Sequence, residues 1–224
     1  MIPDIRVHAI LDPTRSRGRP LPELAVAAVE GGATLVQYRD KDAPTRLMIE
    51  RAREIRRALA GSKVPLIVND RVDVAMVARA DGVHVGQEDM AVQDVRRLLG
   101  PDAIVGLTVK NADHVDAAPI GLVDYVCCGG VFETSSKVNP APPLGVVGFA
   151  RLAVRARMTR PGLSVGAIAG ITAANAADLI AVGADGIAVI SEIFMADDPR
   201  AAAARLRAAV DAALETRRLE EARA

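Results

Sequence analysis

The feature that most constrains this chain is a regular alternation of short strand-like runs with longer helical segments across its 224 residues. The runs rich in Val, Ile and Leu lie at 6–11, 34–38, 64–68, 82–85, 103–107, 125–128, 163–168 and 186–190. Segments with helical periodicity follow them at 22–30, 45–60, 71–78, 92–99, 112–117, 147–158, 173–181 and 199–217. Continuous apolar runs of this kind are typical of parallel strands that are buried on both faces.

Eight strand–helix units without a linker predict an α/β protein with a single (β/α)8 barrel, the TIM barrel, over residues 1–224. A doubly wound open sheet is the alternative, but no Gly-x-Gly-x-x-Gly follows the first strand. Asp198 before Pro199 predicts the start of the last helix. We expect the segment 215–224 to be a frayed, solvated helix end.

Charge and composition exclude several classes of partner. Lys and Arg together number 28, as do Asp and Glu, and aromatic residues make up only 2%. A nucleic-acid binder normally needs a basic surplus or aromatic stacking platforms, so we expect no nucleic-acid partner. No apolar stretch reaches the roughly 18 residues of a membrane helix. A homo-oligomer is compatible with the sequence, which does not determine the oligomeric state.

The sequence also predicts a cytoplasmic protein. Its first residues lack the basic start and the long apolar run of a secretory signal. The two cysteines, Cys127 and Cys128, are neighbours in a predicted strand. A disulfide between adjacent residues is strained, and two cysteines cannot form the framework of a small secreted domain.

Polar side chains with a spacing of two residues begin at the end of the second predicted strand and continue beyond it. Gln37, Arg39 and Lys41 share one face if the extended backbone continues. In a barrel of this class, chemistry takes place at the carboxyl ends of the strands. An amide and two cations on an inward face there suit a diphosphate group. A solvated run of charges is the alternative interpretation.

Two carboxylates follow the third and fourth strands. Asp70 and Asp89 are therefore expected at neighbouring strand ends, where two close carboxylates repel unless they share a proton or a cation. Mg²⁺ binds one or two carboxylates together with substrate phosphates and waters, so these residues predict a magnesium site. The alternative is a pair of loop carboxylates that cap helices.

The loops after the last three strands suit a second anion. Gly170 follows strand seven and Ser191 follows strand eight, the usual phosphate-binding position in these barrels. A tight turn that needs glycine is the alternative for Gly170. Strand six is followed by a hydroxyl-rich loop, 134–136, that ends in Lys137 and has the length and chemistry to bridge two anionic ligands.

The sequence offers no activated nucleophile. It contains neither a Ser-His-Asp set nor a reactive Cys–His pair. His84, between two valines, is interpreted as a core residue, and His8 is given no role. Two anion sites without a nucleophile indicate a transfer reaction in which a diphosphate leaves and a phosphorylated acceptor attacks.

Three motifs carry a family resemblance. They are Gln-Tyr-Arg-Asp-Lys at 37–41, Val-Asn-Asp at 68–70 and His-Val-Gly-Gln-Glu-Asp at 84–89, in the right order and at the right strand ends. With these motifs the chain resembles the thiamine phosphate synthases over almost its whole length. The resemblance implies a (β/α)8 enzyme that joins a hydroxymethylpyrimidine diphosphate to a thiazole phosphate and releases pyrophosphate.

The resemblance also implies a role for each matching residue. The residues expected to bind the pyrimidine diphosphate are Gln37, Arg39, Lys41, Asn69, Thr108 and Lys137. Of these, Arg39, Lys41 and Lys137 are the expected catalytic cations, because they would stabilise the charge of the leaving diphosphate. Asp70 and Asp89 would bind Mg²⁺. The thiazole phosphate would contact Thr134, Ser136, Gly170, Ile190 and Ser191.

The sequence departs from the family pattern mainly on the thiazole side. Gly130 and Glu133 stand where proline is usual, and Ala169 replaces the first of two glycines. The alternatives are a thiazole tautomerase-like isomerase and a non-catalytic sensor of a phosphate ligand. The isomerases tend to carry a histidine after strand five, where this chain has Lys110. The intact clamp and the Asp70–Asp89 pair favour the synthase.

Overall fold

The computed structural model describes residues 2–136 and 142–223. In this part of the chain, eight parallel strands pair in sequence order and close into one barrel, which confirms the predicted (β/α)8 fold. The strands are β1 (Val7–Leu11), β2 (Leu35–Tyr38), β3 (Leu66–Asn69), β4 (Gly82–Val85), β5 (Ile104–Val109), β6 (Tyr125–Cys128), β7 (Ser164–Ile168) and β8 (Gly186–Val189).

Helices surround this barrel. They are α1 (Leu21–Glu30), α2 (Thr45–Ala58), α3 (Val72–Ala78), α4 (Val92–Leu99), α5 (Ala112–Ala117), α6 (Gly145–Thr159), α7 (Ala176–Ala181), α8 (Ser191–Phe194) and α9 (Pro199–Glu221). The short helix α8 was not predicted. The Asp198 carboxylate accepts a hydrogen bond of 3.0 Å from the Ala201 N–H, which confirms the predicted start of α9. None of the described helices has both the length and the apolar character of a membrane span.

The core has two layers because side chains alternate along each strand. One set points outward and packs between the strands and the helices, where Tyr38, Phe149 and Phe194 are fully buried. The other set fills the inside of the barrel with Ile5, Ile10, Leu35, Ile67, Tyr125, Cys127 and Ala188. The inner set packs the barrel interior and leaves the carboxyl ends of the strands to carry polar side chains.

The last helix differs from our expectation. Helix α9 continues to Glu221, whereas we expected a frayed end over 215–224. Arg217 donates hydrogen bonds of 3.0 and 2.8 Å to the carbonyl oxygens of Ile180 and Ala184, at the end of α7 and just beyond it. These bonds hold the last turns of α9 against the barrel, and they join residues too far apart in sequence for helical periodicity to reveal them.

We predict that Arg217→Ala lowers the free energy of unfolding by about 1–2 kcal/mol, because two carbonyl bonds and the ion pair with Asp185 are lost. Arg218→Ala is the matched control. Its side chain is 73% exposed, and among the described residues it pairs with Glu215 on the same helix, so its removal should cost much less than that of Arg217. Urea denaturation of the two variants measures the difference, and equal losses would mean that the end of α9 is not anchored by Arg217.

Candidate active site

A cavity of about 370 Å³ lies at the carboxyl ends of the strands. Nine predicted site residues line it: Gln37, Arg39, Asn69, Thr108, Thr134, Ser136, Gly170, Ile190 and Ser191. Lys41, Asp70 and Asp89 are not part of this lining, although Asp70 directly follows Asn69, which is. Lys137 lies outside the described residues. The closed barrel therefore gathers the residues of both predicted anion sites around one cavity.

Arg39 is held in place by a buried carboxylate. Its guanidinium donates to Asp12, which follows β1 and is 2% exposed as a residue. Asp12 also accepts hydrogen bonds from the Thr14 N–H at 2.9 Å and from the Thr14 hydroxyl at 2.6 Å. With its position set on one side, the guanidinium keeps further N–H groups for a ligand. Asp12 was not among the predicted site residues, because one aspartate after a strand carries no signal of its partner.

Asp40 braces the loop that carries Arg39 and Lys41. Its carboxylate accepts hydrogen bonds from the Tyr38 hydroxyl at 2.9 Å and from Arg51 at 2.7 Å. Burial opposes the ionisation of Asp40, but hydrogen bonds from backbone N–H groups, Tyr38 and Arg51 hold its pKa below the usual range. Tyr38 and Asp40 thus point away from the cavity while Gln37 and Arg39 line it, as the period of two predicts.

The two predicted metal ligands are neighbours. Lys41 forms an ion pair with Asp70, whose N–H donates a 2.8 Å hydrogen bond to the His84 carbonyl oxygen. Asp89 accepts a 2.7 Å hydrogen bond from the Gly86 N–H. Burial, and then the adjacent Asp70 carboxyl, raise the pKa of Asp89 above its usual range. The two carboxyl groups are therefore close enough to interact, as a shared cation requires.

This arrangement fits a magnesium ion. In the described ranges, no group of three or more His, Cys, Asp or Glu side chains is placed to hold a metal. Two carboxylates are nevertheless what Mg²⁺ takes from a protein when waters and substrate phosphates supply its other ligands. Burial contributes most to the raised pKa of Asp89 and the adjacent Asp70 carboxyl adds to it, and a cation bound there would favour the ionised form.

A polar network forms the floor of the cavity. The His84 Nδ1 atom lies 2.8 Å from the Tyr125 hydroxyl, and its Nε2 atom lies 2.7 Å from the Thr108 hydroxyl. Gly106 makes room for the pair, since a Cβ there would lie 2.4 Å from His84 Nδ1. His84 is a hydrogen-bonded core residue, as predicted, and it also lines the cavity and orients Thr108.

His8 lies at the site, although no role was predicted for it. It is 1% exposed and lines the cavity, with its Nε2 atom 3.3 Å from the Gln37 side-chain nitrogen. Burial, and then the nearby His84, hold the pKa of His8 well below its usual range. The imidazole is therefore neutral and can accept a hydrogen bond from the Gln37 amide. The one sequence signal for this position is the spacing of two residues between His8 and Ile10, which places both side chains on the inner face of β1.

Cys127 also lines the cavity, but it is not an activated nucleophile. Burial, and then the neighbouring Cys128, raise its pKa far above the usual range for a thiol. The side chain remains protonated at neutral pH and is thus unreactive. Two carboxylates, Glu133 and Glu192, also line the cavity. They belong to the segments after β6 and β8.

The hydroxyl side of the cavity is built by the loops after β6, β7 and β8. The Ser136 and Ser191 hydroxyls are 2.6 Å apart and join the first of these loops to the last. Gly170 has φ +65°, and a Cβ there would lie 2.3 Å from the Glu133 carbonyl oxygen. The β6 loop can therefore pack against the β7 loop only because residue 170 has no side chain.

We predict that Gly170→Ala lowers the free energy of unfolding by about 2–4 kcal/mol, because a left-handed alanine is strained and its methyl group displaces the β6 loop. Gly18→Ala is the matched control: Gly18 has φ +73°, and nothing lies within 4 Å of the added Cβ. Only the backbone strain of about 1 kcal/mol should remain there. Equal losses in urea denaturation would show that the contact between the two loops is not needed.

Comparisons with known proteins identify the family of this chain. The family model described as thiamine monophosphate synthase matches residues 7–193. A thiamine-phosphate synthase of Agrobacterium fabrum is 51% identical over 214 residues, covering 96% of this chain and 97% of its own. One of Chloroflexus aurantiacus is 46% identical, covering 93% of this chain and 94% of its own.

A solved structure extends the similarity to three dimensions. A thiamine phosphate pyrophosphorylase from Pyrococcus furiosus superimposes with a TM-score of 0.81 at 34% identity. The match covers 94% of this chain and 98% of the other. A family model that matches most of the chain, and relatives of this identity and coverage, lead to one conclusion: the chain belongs to the thiamine-phosphate synthase family.

Proposed function

We propose that this cavity joins a hydroxymethylpyrimidine diphosphate to a thiazole phosphate and releases pyrophosphate. Membership of the family makes the chain a transferase that acts on small molecules in thiamine biosynthesis. The observation that carries the assignment of the site is one cavity with two different sides. Arg39 and Asn69 line one side, and Gly170, Ser136 and Ser191 line the other.

The cationic side is assigned to the diphosphate. Arg39 and Lys41 would contact its oxygens, with Asn69, Thr108 and Lys137 as further ligands. Arg39 suits this role because Asp12 holds its guanidinium at the strand end, so little orientation is lost when the anion binds. Gln37, fixed by His8 on the cavity floor, would hold the aminopyrimidine ring.

Asp70 and Asp89 are assigned to Mg²⁺. When bound, the metal would neutralise negative charge on the diphosphate and so make it a better leaving group. Lys41, which is paired with Asp70, would add a second positive charge beside the metal. The Lys41 ammonium group and the carboxylates of Asp70 and Asp89 thus form one cluster.

The reaction depends more on positive charge near the leaving diphosphate and on the orientation of the two substrates than on a general base. The bond between the pyrimidine methylene carbon and the diphosphate oxygen breaks, and the oxygen keeps the electron pair. The thiazole nitrogen then gives its lone pair to that carbon, which the electron-rich aminopyrimidine has stabilised as a cation. Arg39 and Lys41 would stabilise the charge that develops on the oxygen. The protonated Cys127 thiol offers no competing nucleophile.

The thiazole phosphate is assigned to the hydroxyl side. Thr134, Ser136 and Ser191 offer hydroxyl donors, and Gly170 and Ile190 complete this wall. Occupation of this side by the acceptor would place both substrates in the same cavity. A cytoplasmic location is proposed with this function, and the two free, buried cysteines are compatible with it.

We predict that the purified protein forms thiamine phosphate and pyrophosphate from the two substrates only when Mg²⁺ is present. Removal of the metal with EDTA should abolish product formation, and added Mg²⁺ should restore it, because the diphosphate then regains its counter-charge. Mass spectrometry of the mixture detects both products. Unchanged turnover in EDTA would exclude the magnesium assignment, and a folded protein without product in Mg²⁺ would exclude the proposed reaction.

We predict that Asp89→Asn lowers turnover about 100-fold, because it removes one of the two charges that hold the metal. The KM for the thiazole phosphate should stay within about twofold, since Asp89 is not among the hydroxyl-side residues. Asp94→Asn is the matched control, as Asp94 loses the same charge but pairs with Arg97 on the surface of α4. Equal losses in turnover and in thiazole phosphate affinity would show that the metal is assigned to the wrong residue.

A further inference from the structure

The lysines of this chain have an unusual distribution. The sequence contains 28 basic residues, of which only four are lysines, at positions 41, 63, 110 and 137. Three of the four follow strands in the chain: Lys41 comes after β2, Lys110 after β5, and Lys137 between β6 and α6. Two of them are assigned to the diphosphate above, which leaves Lys110 without a role.

Lys110 lies in the cavity wall, close to the diphosphate side. It lines the cavity two residues after Thr108, on the same face of the chain. A Cβ added at Gly129 would lie 3.5 Å from the Cγ atom of Lys110 and 3.8 Å from its Cε atom. The side chain therefore runs along the gap between the ends of β5 and β6, and residue 129 has no side chain to block it.

The charges around the cavity single out Lys110. Arg39 is paired with Asp12, and Lys41 with Asp70, so each of these cations already has a carboxylate partner. In the part of the chain that the structure describes, no carboxylate lies within ion-pair distance of Lys110. Only Arg39 and Lys110 are basic residues in the described lining. Among the described residues Lys110 thus forms no ion pair of its own, although the carboxylates of Glu133 and Glu192 line the same cavity.

We propose that Lys110 is a further diphosphate-binding residue, which contacts the phosphate groups of the pyrimidine substrate next to Thr108. An ammonium group on a flexible stem binds phosphate as a point charge and adapts to an oxygen that moves as the bond breaks. The proposal rests on the proposed function, because it takes the cationic side of the cavity as the diphosphate site.

The test compares Lys110→Met with Lys63→Met, which removes the same charge from an exposed position before β3, at the opposite end of the barrel. Two quantities are measured in Mg²⁺: the KM for the pyrimidine diphosphate and the inhibition constant of pyrophosphate. We expect both to rise about tenfold in Lys110→Met, the effect of one charge-assisted hydrogen bond, and neither to change in Lys63→Met. Lys110→Arg should restore most of the pyrophosphate affinity.

Arg39→Ala separates failure of this proposal from failure of the proposed function. If Arg39→Ala weakens pyrophosphate inhibition and Lys110→Met does not, the diphosphate site is correct and the role of Lys110 is refuted. If neither variant changes it, the diphosphate site itself is misassigned. A rise in the KM for the thiazole phosphate alone in Lys110→Met would also overturn the proposal. Thermal melting of every variant identifies any loss of fold.

Discussion

Closure of eight parallel strands into one barrel is the constraint on which the site depends. Pairing of β1 with β8 leaves no free edge and brings the carboxyl ends of all strands to the same rim. Residues that are far apart in the sequence, such as Gln37 in β2 and Ser191 after β8, therefore line one cavity. Without closure, the two sides of this cavity would not face a common space.

Much of the fold and part of the site could be predicted because both follow from local patterns. Apolar runs and helical periodicity gave the strand–helix order, and the period of two placed Gln37 and Arg39 on the inner face. The structure added what depends on contacts between distant segments. Asp12 is identified by the guanidinium it binds, and Arg217 by carbonyl groups at and beyond the end of α7. Neither partner leaves a signal near the residue itself.

The same limit explains the two histidines. His84 was correctly interpreted as a hydrogen-bonded core residue, because it stands between two buried valines. Its partners, the hydroxyls of Tyr125 and Thr108, come from the two strands that follow and became visible only in the barrel. His8 likewise gained a function only when β1 paired with β2 and placed it beside Gln37. Register between strands, which a single sequence does not specify, decides such pairs.

The ion pairs of Arg39 and Lys41 affect how the site would bind an anion. A carboxylate beside Arg39 or Lys41 reduces the positive potential of the site, yet it holds the cation in one position before the substrate arrives. This arrangement favours a diphosphate that carries a bound cation. The carboxylates of Asp70 and Asp89 would repel a free diphosphate, whereas they would coordinate the metal of a magnesium-bound one. The paired cations Arg39 and Lys41 are thereby held in position, whereas Lys110, in the described part of the chain, has no carboxylate within ion-pair distance to hold it. With the proposed magnesium site, this division would favour the metal complex of the diphosphate.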